Sequence, residues 1–193
     1  MPQIVYFPVL GKILSGKSEL IRKLIDIFIQ HDEIQVSGYT QPSHFEEGDR
    51  NGYDLILIQN DNTLQTYEFA RLKPRTRPGQ IPYQFEETVF EEVYKVADTI
   101  EYKGKHVLLI FDEIGRLEIN GKGHHRAILR FLETFKNSPK IHLVVTFNER
   151  RHDEVKAFLD SLNAVEAELK IESTDIENDI QKISESILNA IKL

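Results

Sequence analysis

The chain has 193 residues, of which 40% are hydrophobic and 28% are charged, so it is long enough for one well-buried α/β domain and is not a disordered polypeptide. It contains no cysteine, which excludes disulfides, thiolate metal sites and cysteine catalysis. Its formal net charge of −7 disfavours extended nucleic-acid binding.

Targeting signals are not evident in the sequence. The N-terminal residues lack a charged region followed by a long apolar run, so we expect no signal peptide. The longest apolar run, residues 107–111, is far too short to span a bilayer. Together with the lack of cysteine, these features predict a soluble, cytoplasmic protein without a membrane partner.

The first motif, GKILSGKS at residues 11–18, fits the P-loop pattern G-x-x-x-x-G-K-[ST] at every position. Glycines let successive backbone N–H groups face a polyphosphate, Lys17 can reach the terminal phosphates, and the Ser18 hydroxyl can complete a Mg²⁺ shell. The helix that follows presents its positive N-terminus to the anion. The predicted nucleotide-binding residues are Gly11, Lys12, Ile13, Leu14, Ser15, Gly16, Lys17, Ser18 and Glu19.

The surroundings of this motif match those of a P-loop. Residues 3–9 are an apolar run that predicts a short buried strand leading into it. The apolar positions after the motif repeat at helical spacing and are Leu20, Ile21, Leu24, Ile25 and Phe28. A chance glycine turn is the alternative, but the strand–loop–helix context favours a true P-loop.

The next segment predicts an inserted group of strands. Apolar positions alternate along residues 34–40, which predicts a second strand. Residues 46–52 form a polar turn cluster. Residues 53–58 and 64–69 predict a β-hairpin joined at Asp61 and Asn62. We therefore expect residues 35–70 to be an inserted β segment between the P-loop helix and the next helix.

Residues 71–79 carry two prolines, one glycine and four cations, so no regular element should include them. The cations are Arg71, Lys73, Arg75 and Arg77. One interpretation is a solvated surface loop. The other is a mobile lid at residues 71–80, whose arginines reach phosphate oxygens.

Further along the chain, buried apolar runs alternate with amphipathic stripes. The predicted helices cover residues 86–100, 127–135, 155–162 and 176–191, and the predicted strands cover residues 105–111, 141–147 and 165–171. Thr174 and Glu177 have capping-box spacing ahead of the last helix. Apolar strands alternating with helices predict a mainly parallel sheet covered on both faces.

Two acids directly follow the strand at residues 105–111. They lie at the carboxyl edge of the predicted sheet, where open α/β sheets bind ligands. Asp112 is placed to hold Mg²⁺, directly or through water, opposite Ser18. Glu113 is placed to orient or deprotonate an attacking water. The alternative for Glu113 is a first-turn acid that caps the next segment.

Other polar residues have weaker signals. Thr146 and Asn148 end the next apolar strand and are interpreted either as γ-phosphate sensors or as ordinary strand-end residues. His124 and His125 precede a predicted helix without other metal-type ligands nearby, so we interpret them as surface residues.

Two blocks extend the similarity beyond the P-loop. Residues 111–118, FDEIGRLE, resemble the D-E-I-G-x-M-E signature of the small P-loop nucleoside-triphosphatases, the family that includes cancer-related nucleoside-triphosphatase. Residues 38–40 (GYT) and 48–53 (GDRNGY) resemble that family's second block. The order and approximate spacing of the three blocks agree, so the resemblance covers most of residues 4–147.

The resemblance implies a three-layer, RecA-like P-loop NTPase domain over residues 1–193. It implies Mg²⁺-dependent hydrolysis of ATP, GTP and other nucleoside triphosphates to diphosphates, with loose base selectivity. By position, Lys17 and Ser18 would be the P-loop lysine and magnesium ligand. Asp112 would be the second metal-side acid, and Glu113 the water-activating acid.

The loop departs from the family pattern at two positions. Leu14 stands where an inner glycine is usual, and its side chain restricts the backbone. Glu19 replaces a second threonine and repels a nearby polyphosphate, although it suits a helix N-terminus. A nucleoside or nucleotide kinase with its acceptor on the hairpin side, and a nucleotide-dependent switch with negligible catalysis, are the alternatives to hydrolysis. The sequence indicates neither a base preference nor a protein partner.

Overall fold

The computed structural model describes residues 2–12, 15–77, 80–169, 171–172 and 176–192, without the side chains of 172 and 176–179. Within these ranges the strands are β1 (Gln3–Gly11), β2 (Ile34–Thr40), β3 (Ser43–Glu46), β4 (Asp49–Ile58), β5 (Leu64–Leu72), β6 (Tyr83–Phe85), β7 (His106–Phe111), β8 (Lys140–Asn148), β9 (Ala164–Glu166) and β10 (Ile171–Glu172). The helices are α1 (Lys17–Phe28), α2 (Glu87–Thr99), α3 (Arg116–Ile119), α4 (His125–Thr134), α5 (His152–Ser161) and α6 (Ile176–Lys192), with a 3-10 turn at Glu149–Arg151.

All the described strands belong to one sheet, whose order is β10-β1-β8-β7-β2-β4-β5-β6, with β9 also paired to β1 and β3 to β4. The half from β10 to β2 is parallel. The half from β4 to β6 is antiparallel and joins β2 through β4. The predicted α/β class, with a mainly parallel sheet and an antiparallel insertion, is confirmed.

Helices cover both faces of the parallel strands. Alternation along β7 explains why, because Val107, Leu109 and Phe111 pack on one face while Leu108 and Ile110 pack on the other. The first face is covered by α2, α4 and α5, and the second by α1 and α6. Continuous apolar strands can be buried on both sides only in such a three-layer arrangement.

The antiparallel insertion is shorter than expected at its start. β2 pairs in parallel with β7, so it belongs to the core of the sheet, and the antiparallel part begins with β3 instead of at residue 35. The polar turn is also shorter than residues 46–52, because Glu47 and Gly48 turn with positive φ values of 53° and 90° and Asp49 already begins β4.

Two further boundaries differ from the sequence expectation. Arg71 and Leu72 end β5, so the irregular segment begins at Lys73. The single edge strand expected at residues 165–171 is two short strands, β9 and β10, each parallel to β1. Thr174 of the expected capping box lies outside the described residues. No helix in the described ranges is long and apolar enough to cross a bilayer.

Candidate active site

A cleft of about 280 Å³ opens between the loop after β1 and the β3–β4 hairpin. Its lining residues are Ser15, Gly16, Lys17, Ser18, Glu19, Pro42, Ser43, Phe45, Arg50, Tyr53 and Glu113. The cleft lies at the carboxyl ends of β1 and β7, where open α/β sheets bind ligands. The structure thus brings the P-loop motif and Glu113 into one site.

Backbone hydrogen bonds fix Gly16 and the side chain of Lys17 at the start of α1. Gly16 has a φ of 85°, a left-handed conformation that glycine adopts without steric cost, and its carbonyl accepts a hydrogen bond of 3.0 Å from the Leu20 amide. The Lys17 side chain is only 7% exposed, and its Nζ donates to the carbonyls of Gly11 at 3.2 Å and Lys12 at 2.8 Å. The ammonium is therefore held against the end of β1.

Ile13 and Leu14 lie outside the described residues, so the expected effect of Leu14 on the loop stays a prediction. Glu19 lines the cleft but forms an ion pair of 3.0 Å with Arg22. The hydrogen bond from Arg22 lowers the pKa of Glu19 and keeps its carboxylate ionised. Because Arg22 balances this charge, Glu19 repels a phosphate less than the sequence suggested.

Asp112 lies behind the cleft and is not exposed at all (0%). Its Oδ2 accepts hydrogen bonds from the Thr40 hydroxyl at 2.7 Å and the Gln41 amide at 2.8 Å, and its Oδ1 accepts one from the Thr146 hydroxyl. The carboxylate is thus committed to protein donors. This geometry favours a role through water over direct coordination of a metal.

Close packing of β2 on β7 sets the position of Thr40. Gly38 has a φ of 116°, and a Cβ there would lie 2.0 Å from the Ile110 carbonyl oxygen, so only glycine fits. The Asp112 amide then donates to the Tyr39 carbonyl at 3.3 Å. Thr40 and Gln41 had no assigned role from sequence; their one signal was the GYT block, which ends at Thr40 and directly precedes Gln41.

Glu113 is the acid that faces the cleft. Its φ of 67° is unusual for a residue with a side chain, and its amide donates to the Thr146 hydroxyl at 2.7 Å. The side chain is open to the cleft, yet surrounding protein atoms remove enough water to raise its pKa, and the charge of Asp112 raises the pKa further. The positive charges of Lys17 and Arg50 oppose this increase.

The polar ends of β8 have structural partners. The Thr146 hydroxyl is fully buried, donates to the Asp112 carboxylate and accepts from the Glu113 backbone amide. Asn148 caps the 3-10 turn by accepting a hydrogen bond of 3.0 Å from the Arg150 amide. These contacts favour the strand-end interpretation of both residues over the γ-phosphate sensor.

His124 is buried, so the prediction that it lies on the surface was wrong. It is 1% exposed, and its ring lies 4.3 Å from the ring of Tyr39, 4.7 Å from Phe90 and 5.3 Å from Phe69. Burial lowers its pKa to about 3. Its amide donates to the carboxylate of Glu118 at 3.1 Å, so the last acid of the FDEIGRLE block fixes the start of α4.

His125 is half-buried, with Nδ1 at 2.7 Å from the Glu118 carbonyl oxygen. Glu118 also accepts a hydrogen bond of 3.1 Å from the Gly115 amide and is buried, which raises its pKa. The described residues contain no cluster of three or more histidine or acidic side chains arranged to hold a metal by themselves.

The four cations proposed as a lid do not line the cleft. Arg71 forms ion pairs with Glu68 at 3.0 Å and Asp54 at 3.5 Å. Lys73, Arg75 and Arg77 are exposed. The surface-loop interpretation fits this arrangement better. The cleft instead contains Arg50, whose only sequence signal was the GDRNGY block.

The oxygen donors around the cleft fit Mg²⁺. The hydroxyl-bearing Ser18 and the acid Glu113 line the cleft, and the Asp112 carboxylate lies behind it. Mg²⁺ prefers oxygen ligands, keeps several waters and often takes few ligands from the protein. These residues therefore suit an ion held mainly by phosphates and water.

Comparison with known proteins agrees with this geometry. The model of a family described as NTPase matches residues 7–188, whereas no curated protein matches the chain. The solution structure of a human cancer-related nucleoside triphosphatase is similar, with a TM-score of 0.65 and 16% identity over 98% of this chain and 97% of that chain. The crystal structure of THEP1 from the hyperthermophile Aquifex aeolicus has a TM-score of 0.54 and 20% identity over 98% of this chain and 100% of that one.

At these identities the two structures show a shared fold. The family match covers nearly the whole chain and agrees with the resemblance of the three sequence blocks. The chain therefore belongs to the NTPase family.

Proposed function

We propose that the chain is a Mg²⁺-dependent nucleoside triphosphatase that hydrolyses ATP, GTP or a related nucleotide to the diphosphate and phosphate. One observation carries the proposal: Lys17 of the P-loop and Glu113 at the end of β7 line the same cleft. A cation that binds phosphate and a residue that orients or activates water are two recurring parts of phosphoryl-transfer sites.

The loop supplies the phosphate site. The Lys17 ammonium donates to two backbone carbonyls, and anionic phosphate oxygens are stronger acceptors than these neutral groups. Nucleotide binding therefore transfers the lysine donors from the carbonyls to phosphate. The N-terminus of α1 adds its partial positive charge at the same place.

Ser18 would bind Mg²⁺ together with the β- and γ-phosphates, and Asp112 would act on it through water. The bound ion would neutralise the charge that develops on the phosphate oxygens. Thr40, Gln41 and Thr146 fix the position of Asp112 behind the site, because each donates a hydrogen bond to its carboxylate.

Glu113 accepts the proton of the attacking water. As the water oxygen bonds to the γ-phosphorus, the bond from phosphorus to the bridging oxygen breaks, and the nucleoside diphosphate leaves with that electron pair. The proton moves from water to the carboxylate. Because the surrounding protein atoms raise its pKa, Glu113 is a stronger base than a fully hydrated carboxylate.

A panel of nucleoside triphosphates, assayed for both binding and phosphate release with and without Mg²⁺, tests the proposal. We expect Mg²⁺-dependent phosphate release from several nucleotides without any added acceptor. Tight binding with no release under any condition would instead support the nucleotide-dependent switch.

A nucleoside or nucleotide kinase is the second candidate, favoured by the hairpin wall of the cleft. Phe45 is 59% exposed there, and Tyr53 lies in the same wall, so a planar acceptor could stack against aromatic side chains. Acceptor-dependent formation of a phosphorylated product would favour transfer. In that case Phe45→Ala should reduce transfer and leave acceptor-independent phosphate release unchanged.

A further inference from the structure

Arg50 is a half-buried cation that forms no ion pair within the part of the chain that the structure describes. Its guanidinium donates to the hydroxyl of Tyr53 at 2.9 Å and to the hydroxyl of Tyr83. It also lies over both rings, 4.7 Å from the centroid of Tyr53 and 5.6 Å from that of Tyr83. Among the described residues, no carboxylate comes within ion-pair distance of Arg50. Its partners are therefore neutral hydroxyls and ring faces.

A neighbouring arginine shows that the insertion can supply counter-ions. Arg71 of β5 pairs with Asp54 at 3.5 Å and with Glu68 at 3.0 Å, and it does not line the cleft. Burial raises the pKa of Tyr53, so its hydroxyl stays protonated and cannot balance the charge of Arg50. A partly buried guanidinium that lacks a carboxylate is suited to an anionic ligand.

A β-bulge directs Arg50 into the cleft. In the pairing of β3 with β4, His44 faces Gly52 but Phe45 faces Arg50, so Asn51 is an extra residue in β4. Residues three apart in a regular strand point to opposite faces. The bulge cancels this alternation and puts Arg50 and Tyr53 on the same side. Such irregularities often redirect side chains beside active sites.

The cleft places Arg50 opposite the P-loop. Arg50 lines the wall formed by the β3–β4 hairpin, and Lys17 lines the loop wall. Both charges act on Glu113, whose pKa they lower against the effect of burial. A terminal phosphate held by Lys17 and attacked by a water on Glu113 would therefore lie within the field of Arg50.

We propose that Arg50 is a catalytic residue that binds the terminal phosphate from the insertion side, with Tyr53 and Tyr83 as positioning residues. This inference rests on the proposed nucleotide hydrolysis. As the water oxygen bonds to phosphorus and the bridging oxygen leaves, negative charge spreads over the three remaining phosphate oxygens. Arg50 donates hydrogen bonds to these oxygens without giving up a proton.

The test compares Arg50→Ala and Arg50→Lys with the wild-type chain. An arginine that stabilises phosphoryl transfer is worth about 10³-fold or more in kcat, so we expect a loss of that order in Arg50→Ala. Arg50→Lys should recover part of it, because lysine keeps the charge but not the planar fork. Tyr83→Phe removes only a hydroxyl and should lower kcat with little change in KM.

Binding gives a readout that does not depend on turnover. In a Glu113→Gln background, adding Arg50→Ala should weaken ATP binding about 10-fold or more, as expected for a lost charged hydrogen bond. ADP lacks the terminal phosphate, so its affinity should stay nearly unchanged. A residue with a merely structural role would affect ATP and ADP alike.

Arg126→Ala is the matched control. Arg126 also lies over a tyrosine ring, 3.6 Å from the centroid of Tyr94, but it pairs with Glu91 on the helical surface. It should leave kcat and both affinities unchanged. Melting temperatures of all variants would show whether each one folds.

The outcomes separate the two proposals. Wild-type turnover in Arg50→Ala, or equal weakening of ATP and ADP binding, would overturn the role of Arg50 and leave hydrolysis standing. A wild-type chain that binds neither nucleotide would overturn the proposed function, and the role of Arg50 with it. Selective loss of ATP binding supports Arg50 even if the wild-type chain turns over slowly.

Discussion

The hydroxyl of Thr40, the last residue of β2, donates a hydrogen bond of 2.7 Å to Oδ2 of Asp112, the first residue after β7. Both residues are fully buried. This contact ties the two neighbouring parallel strands together at the edge where the cleft opens. It also gives a buried carboxylate one of the hydrogen-bond donors that burial makes necessary.

Removing this donor should destabilise the protein. Thr40→Val keeps the shape of the side chain and should lower the free energy of unfolding by about 1.5–3 kcal/mol, because a hydrogen bond to a buried charge is lost. Thr134→Val is the control, since its hydroxyl donates to a neutral carbonyl of Ala97 at 2.9 Å; that loss should be about 1 kcal/mol. Denaturant unfolding measures both, and equal losses would mean that Asp112 does not depend on Thr40.

Glu113→Gln should retain nucleotide binding and lose turnover. The amide cannot accept the proton of water, and general-base catalysis is worth about 10²–10⁴-fold in rate. The control is Glu92→Gln, which removes a surface acid paired with Lys95. Unchanged phosphate release in Glu113→Gln would remove this residue from the mechanism.

The wild-type pH profile should reflect the same carboxyl group. Burial raises the pKa of Glu113 above its ordinary value of 4.5, and the base must be deprotonated to act. Activity should therefore fall as the pH decreases through a value above 4.5. In Glu113→Gln this acid limb should be absent from any residual activity, as measured by kcat/KM between pH 4 and 8.

Lys17→Ala should abolish nucleotide binding, since Lys17 is the P-loop cation that lines the cleft. Lys23→Ala changes the net charge by the same amount on the following turns of α1 and should bind nucleotide as the wild-type chain does. Calorimetric titration with ATP measures both variants. Equal affinities would show that the loop does not bind phosphate.

The buried His124 should make stability depend on pH. Its pKa is about 3 in the folded chain, lowered by burial from 6.5, so between these values the unfolded chain binds a proton that the folded chain does not. The neutral His124 therefore contributes fully to the free energy of unfolding above about pH 6.5. This contribution is lost as the pH falls towards 3, by at most about 1.4 kcal/mol per pH unit.

His124→Phe should flatten this part of the stability curve, because phenylalanine fits an aromatic site and does not titrate. His142 has a pKa lowered to about 4, mainly by burial, so His142→Phe should flatten the curve as well, and the double variant more than either. Denaturant unfolding between pH 4 and 7 measures the slopes. A slope in His124→Phe equal to that of the wild-type chain would contradict the assignment.

The parts of the molecule that sequence predicted well depend on local pattern. The apolar runs that became β7 and β8 are continuous because helices cover both their faces. The placement of Lys17 and Glu113 at one cleft follows from the edge of the sheet at which parallel strands end.

The parts that sequence missed depend on contacts between distant segments. His124 is buried because Tyr39, Phe69 and Phe90 arrive from three different elements, and nothing next to it in sequence reveals them. The position of Arg50 in the cleft depends on one extra residue in β4, which changes the face to which its side chain points. The four cations at residues 71–77 were conspicuous in sequence, but none of them lines the cleft, and Arg71 instead forms ion pairs with Asp54 and Glu68.

The antiparallel extension is joined to the parallel core by backbone pairing at only three positions, Gly38 with Ile58, Tyr39 with Leu57 and Thr40 with Ile56. We call these three β2–β4 pairs the seam. The P-loop wall of the cleft lies on the parallel side of the seam, and the β3–β4 hairpin wall lies on the antiparallel side. Lengthening the β4–β5 turn leaves their separation intact, whereas a slip of one residue along the seam would invert every side chain of the extension. The relative placement of the two cleft walls therefore depends on the register of these three pairs and not on the length of the hairpins beyond them.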